Sequence, residues 1–125
     1  MDDFEAIRQL TARYNRASDE ADVEAWLDCW ADDGAFSRSN ADRAYHGKAE
    51  LRELLVNFPV AGRHLTTDFT IDVDGDTARQ SAYLVFLDRA RGFQVNMFGT
   101  YDDRLVRKDG RWYFSSRKLK VDTGA

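Results

Sequence analysis

At Arg63 the spacing of apolar side chains changes from every three or four residues to every second one. That switch constrains the fold more than any other feature of the chain, because the two periods belong to helices and to half-buried strands respectively. Upstream, Phe4, Ile7, Leu10, Tyr14 and Ala17 make one apolar stripe and predict a helix over residues 3–19. Asp22 is placed to cap a second helix, in which Val23, Trp26, Leu27 and Trp30 share a face and Gly34 is the expected stop. Residues 35–37 read as a short strand and 39–42 as a loop. A third helix is expected over 48–57, with Leu51, Leu54, Leu55 and Phe58 on one face, ended by Pro59.

Downstream, Leu65, Thr67, Phe69, Ile71 and Val73 alternate with His64, Thr66, Asp68, Thr70 and Asp72. Asp74, Gly75 and Asp76 signal a hairpin turn before a strand over 77–88, whose centre is apolar on both faces. Turns at 90–92 and 108–110 delimit a long strand, with Gly99 marking a bulge or bend, and a last strand over 111–121. Helices first and hairpin-linked strands second predict one α+β domain over residues 1–125. Strands this long need strong curvature to pack on three short helices.

At 125 residues with 43% hydrophobic and 13% aromatic content, the chain has enough apolar area for a core and a lined cavity. A net charge of −4 disfavours nucleic acid as a partner. No apolar run approaches the roughly 20 residues needed to span a bilayer, so no membrane role is expected. The acidic start, Met1-Asp2-Asp3, lacks a signal-peptide pattern and reads as cytoplasmic. Cys29 has no second cysteine to pair with and reads as a small buried filler. His46 and His64, with no cysteine partners, give no zinc pattern, and no metal or cofactor is expected.

Four residues carry the candidate chemistry. His64 opens the first long strand and is a surface histidine at a strand end, a hydrogen-bonded core histidine, or a general acid or base, the role its side-chain type suits near neutral pH. Asp19 stands at the end of the first helix, where a carboxylate opposes the helix dipole; it is a solvated loop acid, a cap for the next helix, or a group turned inward to orient a base. Tyr14 continues the apolar stripe, so its ring is expected inward. Arg117 shares a strand face with Tyr113 and Leu119, which implies a buried ion pair, an anion-stabilising role, or a snorkelling surface side chain. Strand alternation puts Asp68 on the face of His64, about 13 Å away. The same alternation puts Leu65, Phe69 and Ile71 on the opposite face. A histidine turned to the core then requires either a bulge or a second buried face.

The stretches Leu10 to Tyr14 (LTARY), Trp26 to Phe36 (WLDCWADDGAF), Tyr45 to Gly47, Arg63-His64, Val73 to Thr77 and Arg107 to Trp112 occur in one order across nearly the whole chain. Together they resemble the SnoaL-like branch of the nuclear transport factor 2-like superfamily. The resemblance implies a curved, mixed, mainly antiparallel sheet wrapped into a cone, with the helices closing a deep apolar pocket. Dehydratases and dehydrochlorinases of that superfamily share an Asp–His dyad, and Asp19 and His64 fall on its two positions. Tyr14 falls on the dehydratase tyrosine and Arg117 on an arginine of the dehydrochlorinase. The ketosteroid isomerases share part of the pattern, but their catalytic Asp would fall near Arg38, so that base is missing. Many SnoaL-like proteins carry Asn four residues after the histidine; Asp68 stands there and is expected to add charge to the pocket.

The resemblance implies a cofactor-free lyase or isomerase, dehydratase-like, acting on a small hydrophobic, cyclic substrate held by Trp26, Trp30, Phe36, Leu54, Phe58, Phe86 and Phe98. The alternatives are a non-catalytic small-molecule binder and an assembly module like an oxygenase small subunit. Phe93, Tyr101 and Trp112 are the residues expected to form a homodimer or homotrimer contact.

Overall fold

The computed structural model describes residues 1–124 and consists of three α-helices over one side of a six-stranded sheet. Helix α1 spans Asp3–Asp19 and α2 Val23–Leu27. Strand β1 spans Trp30–Arg38, β2 Tyr45–His46 and α3 Gly47–Val56. Then follow β3 (Gly62–Asp74), β4 (Thr77–Asp88), β5 (Gln94–Lys108) and β6 (Arg111–Gly124). The spatial order is β2-β1-β6-β5-β4-β3; β1 runs parallel to β6 and every other pair is antiparallel. The sheet is curved and unclosed, and the expected α+β cone is what forms.

Local chemistry sets the helix ends. The Asp2 side chain accepts a hydrogen bond from the Glu5 amide, and Asp22 accepts one from the Ala25 amide, so both helices start on carboxylates that match the dipole. Along α1, Ile7, Leu10, Tyr14 and Ala17 are buried, as their spacing requires. Phe4, expected on the same stripe, is half exposed instead.

The second helix is shorter than its periodicity suggests. It stops at Leu27, and Trp30 begins β1 opposite Phe114 of β6. Gly34 is therefore not a helix stop. It lies at a register shift between Trp30 and Ala35, and a Cβ there would sit 2.7 Å from the Trp30 ring. The glycine lets the strand kink over the buried indole. Gly99 plays the expected role of bend: β5 slips register on β6 at that point, and a Cβ would meet Leu119 Cδ1 at 2.7 Å.

Strand β3 resolves the parity problem by a bulge. Its register on β4 shifts between Thr67 and Thr70, and Asp68 adopts a left-handed backbone with φ of 54°. His64 and Thr66 face inward before the bulge; Phe69, Ile71 and Val73 face inward after it. Asp68 itself is exposed, so it does not share the His64 face and adds no charge to the pocket. Asn and Asp are the non-glycine residues that best tolerate φ > 0. That backbone preference accounts for an Asn or Asp at this position.

Candidate active site

The last residue of α1 and the third residue of β3 meet at the open edge of the sheet. His64 Nδ1 lies 2.6 Å from Asp19 Oδ1, and the backbone N–H of His64 donates to the same carboxylate at 3.0 Å. β3 is an edge strand, so this N–H has no strand partner, and Asp19 satisfies it. Both groups therefore hold Asp19 in an otherwise unfavourable place at a helix C-terminus. A carboxylate can only accept, so Nδ1 carries the hydrogen in the neutral ring and Nε2, remote from Asp19, keeps its lone pair. The two side chains are 13% and 15% exposed, reachable by a bound molecule yet largely removed from water.

The imidazole forms part of the wall of an apolar cleft and packs on Phe86 with ring centroids 4.5 Å apart. Tyr14, Trp26, Phe36, Leu54 and Phe58 line the same space, as assigned from sequence. The free volume is small, about 50 Å³, room for a few water molecules. Leu54, Leu55 and Phe58 on its helix α3 side are only half-buried.

Three assigned residues lie elsewhere. Trp30 is wholly buried behind Tyr14 and Phe114 and is not part of the wall. Phe98 points to the outer face of the sheet and is half exposed, because the cavity face of β5 is taken by Met97, Gly99 and Tyr101. Arg117 is fully buried, but beneath the cleft rather than in its wall. Its Nε and Nη2 donate to the two oxygens of Asp103 at 2.9 and 3.0 Å. Gln80 donates to Asp103 at 3.0 Å and to Thr11 at 3.1 Å. Arg117 lies 3.7 Å from the Tyr101 ring centroid and 4.5 Å from that of Tyr14. Of the readings open for Arg117, the buried ion pair is the one that forms.

Wall residues that the sequence reading left out include Ser18, Arg38, Met97 and Tyr101. Tyr101 and Trp112, expected at an outer contact, are both buried, at 2% and 3% exposure. The alternation of Met97, Tyr101, Asp103 and Leu105 along β5 was the signal that could have placed Tyr101 inside.

Burial pushes the Tyr14 hydroxyl well above its ordinary pKa, with Tyr101 and Asp103 adding to the rise and Arg117 and the Trp26 indole opposing it. Tyr101 is raised for the same leading reason. Both phenols therefore stay protonated and able to donate. Burial alone would favour a neutral Arg117; Asp103, then Tyr101 and Tyr14, more than offset this and hold it charged. Among the described residues, no group of three His, Cys, Asp or Glu is placed to hold a metal ion. No helix there is long and apolar enough to cross a membrane.

The chain belongs to the SnoaL-like domain family, whose model matches residues 1–118. Among solved structures it is similar to a protein of unknown function from Mycobacterium tuberculosis, with 36% identity, TM-score 0.88, and 95% of this chain and 71% of that one covered. A Catenulispora acidiphila protein solved in complex with S-DNPA matches at 29% identity and TM-score 0.82, covering 95% and 92%. A Novosphingobium aromaticivorans protein provisionally named a scytalone dehydratase matches at 19% identity and TM-score 0.82, covering 96% and 84%, a likeness of fold. No curated protein gives a significant match.

Proposed function

We propose that the chain is a cofactor-free lyase or isomerase that removes a proton from carbon next to an activating carbonyl in a small cyclic substrate. The observation that carries this reading is the 2.6 Å contact between His64 Nδ1 and Asp19 at the wall of an apolar cleft. Asp19 fixes the tautomer and stabilises the imidazolium, while Nε2 takes the proton. Tyr14, held protonated, donates to the substrate oxygen on which negative charge develops. In a dehydration the same protonated His64 returns its proton to the departing hydroxyl. The neighbour named for dehydratase chemistry and the one holding a small molecule support a small-molecule site in this fold.

Arg117 enters indirectly. Its ion pair supports the floor on which Tyr14 and Tyr101 rest, and it has no surface open to the cleft. A ring-shaped substrate exceeds the present free volume, so the half-buried side chains Leu54, Leu55 and Phe58 move aside to admit it.

The reaction is tested without knowing the natural substrate. Cyclohexanone in D₂O exchanges its α-protons when a general base abstracts them, and proton NMR follows the loss. His64→Ala and Asp19→Asn should each lower the protein-dependent rate by about 10²–10⁴-fold. A wild-type rate no greater than buffer, or equal rates in all three proteins, overturns the reading in favour of a carrier that returns its ligand unaltered.

A further inference from the structure

Tyr101 is a wall residue of the cleft, almost wholly buried, with its ring turned inward onto Arg117. Its hydroxyl makes no hydrogen bond among the described residues, and yet, unlike the sealed Trp26 indole nitrogen, its oxygen keeps open surface. The ring packs on a side chain with no solvent access, so that surface opens into the cleft. Tyr14 is placed in the same way, nearly buried in the wall with its hydroxyl unsealed. The Trp26 indole acts on the Tyr14 oxygen as a hydrogen-bond donor, which leaves the Tyr14 proton to point elsewhere. A phenol held in an apolar wall without a partner in the protein is completed by an oxygen that enters from outside.

One guanidinium supports both rings. Arg117 Cζ lies 3.7 Å from the Tyr101 centroid and 4.5 Å from that of Tyr14, and Asp103 fixes it with two hydrogen bonds. The phenols also feel one another: Tyr101 adds to the rise of the Tyr14 pKa, and the Arg117 charge opposes the rise in both. Asp19 acts on Tyr101 as well, so this hydroxyl lies within the field of the dyad. We propose that Tyr101 is a second catalytic hydroxyl, which donates together with Tyr14 to a single oxygen of the substrate. The proposal rests on the proton abstraction argued above and deepens it. His64 Nε2 takes the α-proton, the C–H electron pair becomes a carbon–carbon π bond, and the carbonyl π pair moves onto the oxygen. Two neutral donors, one for each lone pair of the carbonyl, then meet the charge that develops there. The substrate class narrows to rings whose carbonyl oxygen rests on the Tyr14–Tyr101 floor while the α-carbon faces His64.

Tyr101→Phe removes the hydroxyl and keeps the ring on Arg117. Exchange of cyclohexanone α-protons in D₂O should fall about 10²-fold in this variant, the yield of one oxyanion donor. Cyclohexanone affinity, followed by NMR titration of the full chain, should fall roughly tenfold. The affinity of methylenecyclohexane, which has the same shape without the acceptor, should hold. The carbonyl resonance of ¹³C-labelled cyclohexanone should move downfield on binding to the wild type, and by less in Tyr101→Phe. An exchange rate equal to that of the wild type, an equal loss of affinity for both probes, or a wild-type carbonyl resonance that stays put each overturn the proposal. The wild-type carbonyl shift gives an answer even where the variant folds poorly. Undiminished exchange in Tyr101→Phe, with exchange lost in His64→Ala, would sink this proposal alone. Exchange that survives in His64→Ala would sink the assignment of the base, and a carbonyl shift that depends on Tyr101 would still support the two-hydroxyl site.

Discussion

Arg117 and Asp103 share two hydrogen bonds across neighbouring strands with no solvent access to either side chain. The pair is registered directly, Asp103 on β5 opposite Arg117 on β6, and both side chains point under the cleft. Breaking a buried pair on one side leaves an uncompensated charge.

Arg117→Met is therefore expected to destabilise the fold by about 3–5 kcal/mol, and Asp103→Leu to be costly for the same reason. The double replacement Asp103→Leu with Arg117→Met should recover most of that loss, because no charge is then stranded. Urea unfolding of the three variants checks this. A double variant as unstable as the sum of the singles would show that the pair matters for shape rather than charge.

Asp68 should tolerate Asn without change in stability or in cyclohexanone affinity, since its carboxylate lies outside the cleft and its role is the left-handed backbone. Asp68→Val should cost about 1–2 kcal/mol, the penalty for a β-branched residue in that conformation. Thermal unfolding and an NMR titration distinguish the two. A large change in ligand affinity on Asp68→Asn would put its charge back among the groups that govern the site.

Alkaline pH should weaken the fold. Burial pushes the Cys29 thiol up to about 11 and raises Tyr14 and Tyr101 as well. An unfolded chain releases these protons earlier, from about 8.5 for the thiol and about 10 for the phenols. Above those values the native state binds more protons than the unfolded one, so stability falls as pH rises. Below about pH 8 the contribution is fully present. Each tyrosine adds a slope of at most about 1.4 kcal/mol per pH unit above pH 10. Urea midpoints at pH 8, 9.5 and 10.5 should decline in wild type and decline less in Tyr14→Phe. Parallel declines in the two proteins would contradict the assignment.

Leu65, Val85 and Phe98 lie side by side in register across β3, β4 and β5 on the outer face, with Tyr83 and Val95 next to them. Four of these five are among the most exposed large apolar residues of the chain. Contiguous apolar surface of this kind fits a contact with a second copy. We propose this row, rather than Tyr101 and Trp112, as the contact of the homo-oligomer expected from sequence; Phe93, also expected there, is exposed as well. Sedimentation equilibrium should show a dimer or trimer, and Phe98→Glu should shift it to monomer. A wild-type monomer at micromolar concentration would rule the contact out.

Much of this architecture was legible in the sequence because local chemistry and global fold agree there. The caps at Asp2 and Asp22, the stripe of Ile7, Leu10 and Tyr14, and the turn at Gly75 each act within a few residues. Asp19 betrayed itself by being the wrong charge at a helix end, and its partner on β3 supplies the reason. What failed depended on distant chain. Trp30 fits the helical period of α2, yet pairing with Phe114 of β6 draws it into a strand. Phe98 and Tyr101 could not be sorted to inside and outside without the register of β5 against its neighbours. Arg117 required knowing that Asp103 stands opposite.

The irregularity at Asp68 divides β3 into two halves of opposite phase, one carrying the imidazole toward the helices and the other carrying Phe69, Ile71 and Val73 to the interior. Chain length between His64 and Phe69 is consequently as important as composition. Deleting one residue from this stretch would make the strand regular and force a choice between a sealed interior and an inward imidazole. Drift in this segment should thus proceed by exchange of side chains at constant length, with insertions and deletions confined to the hairpin beyond Val73.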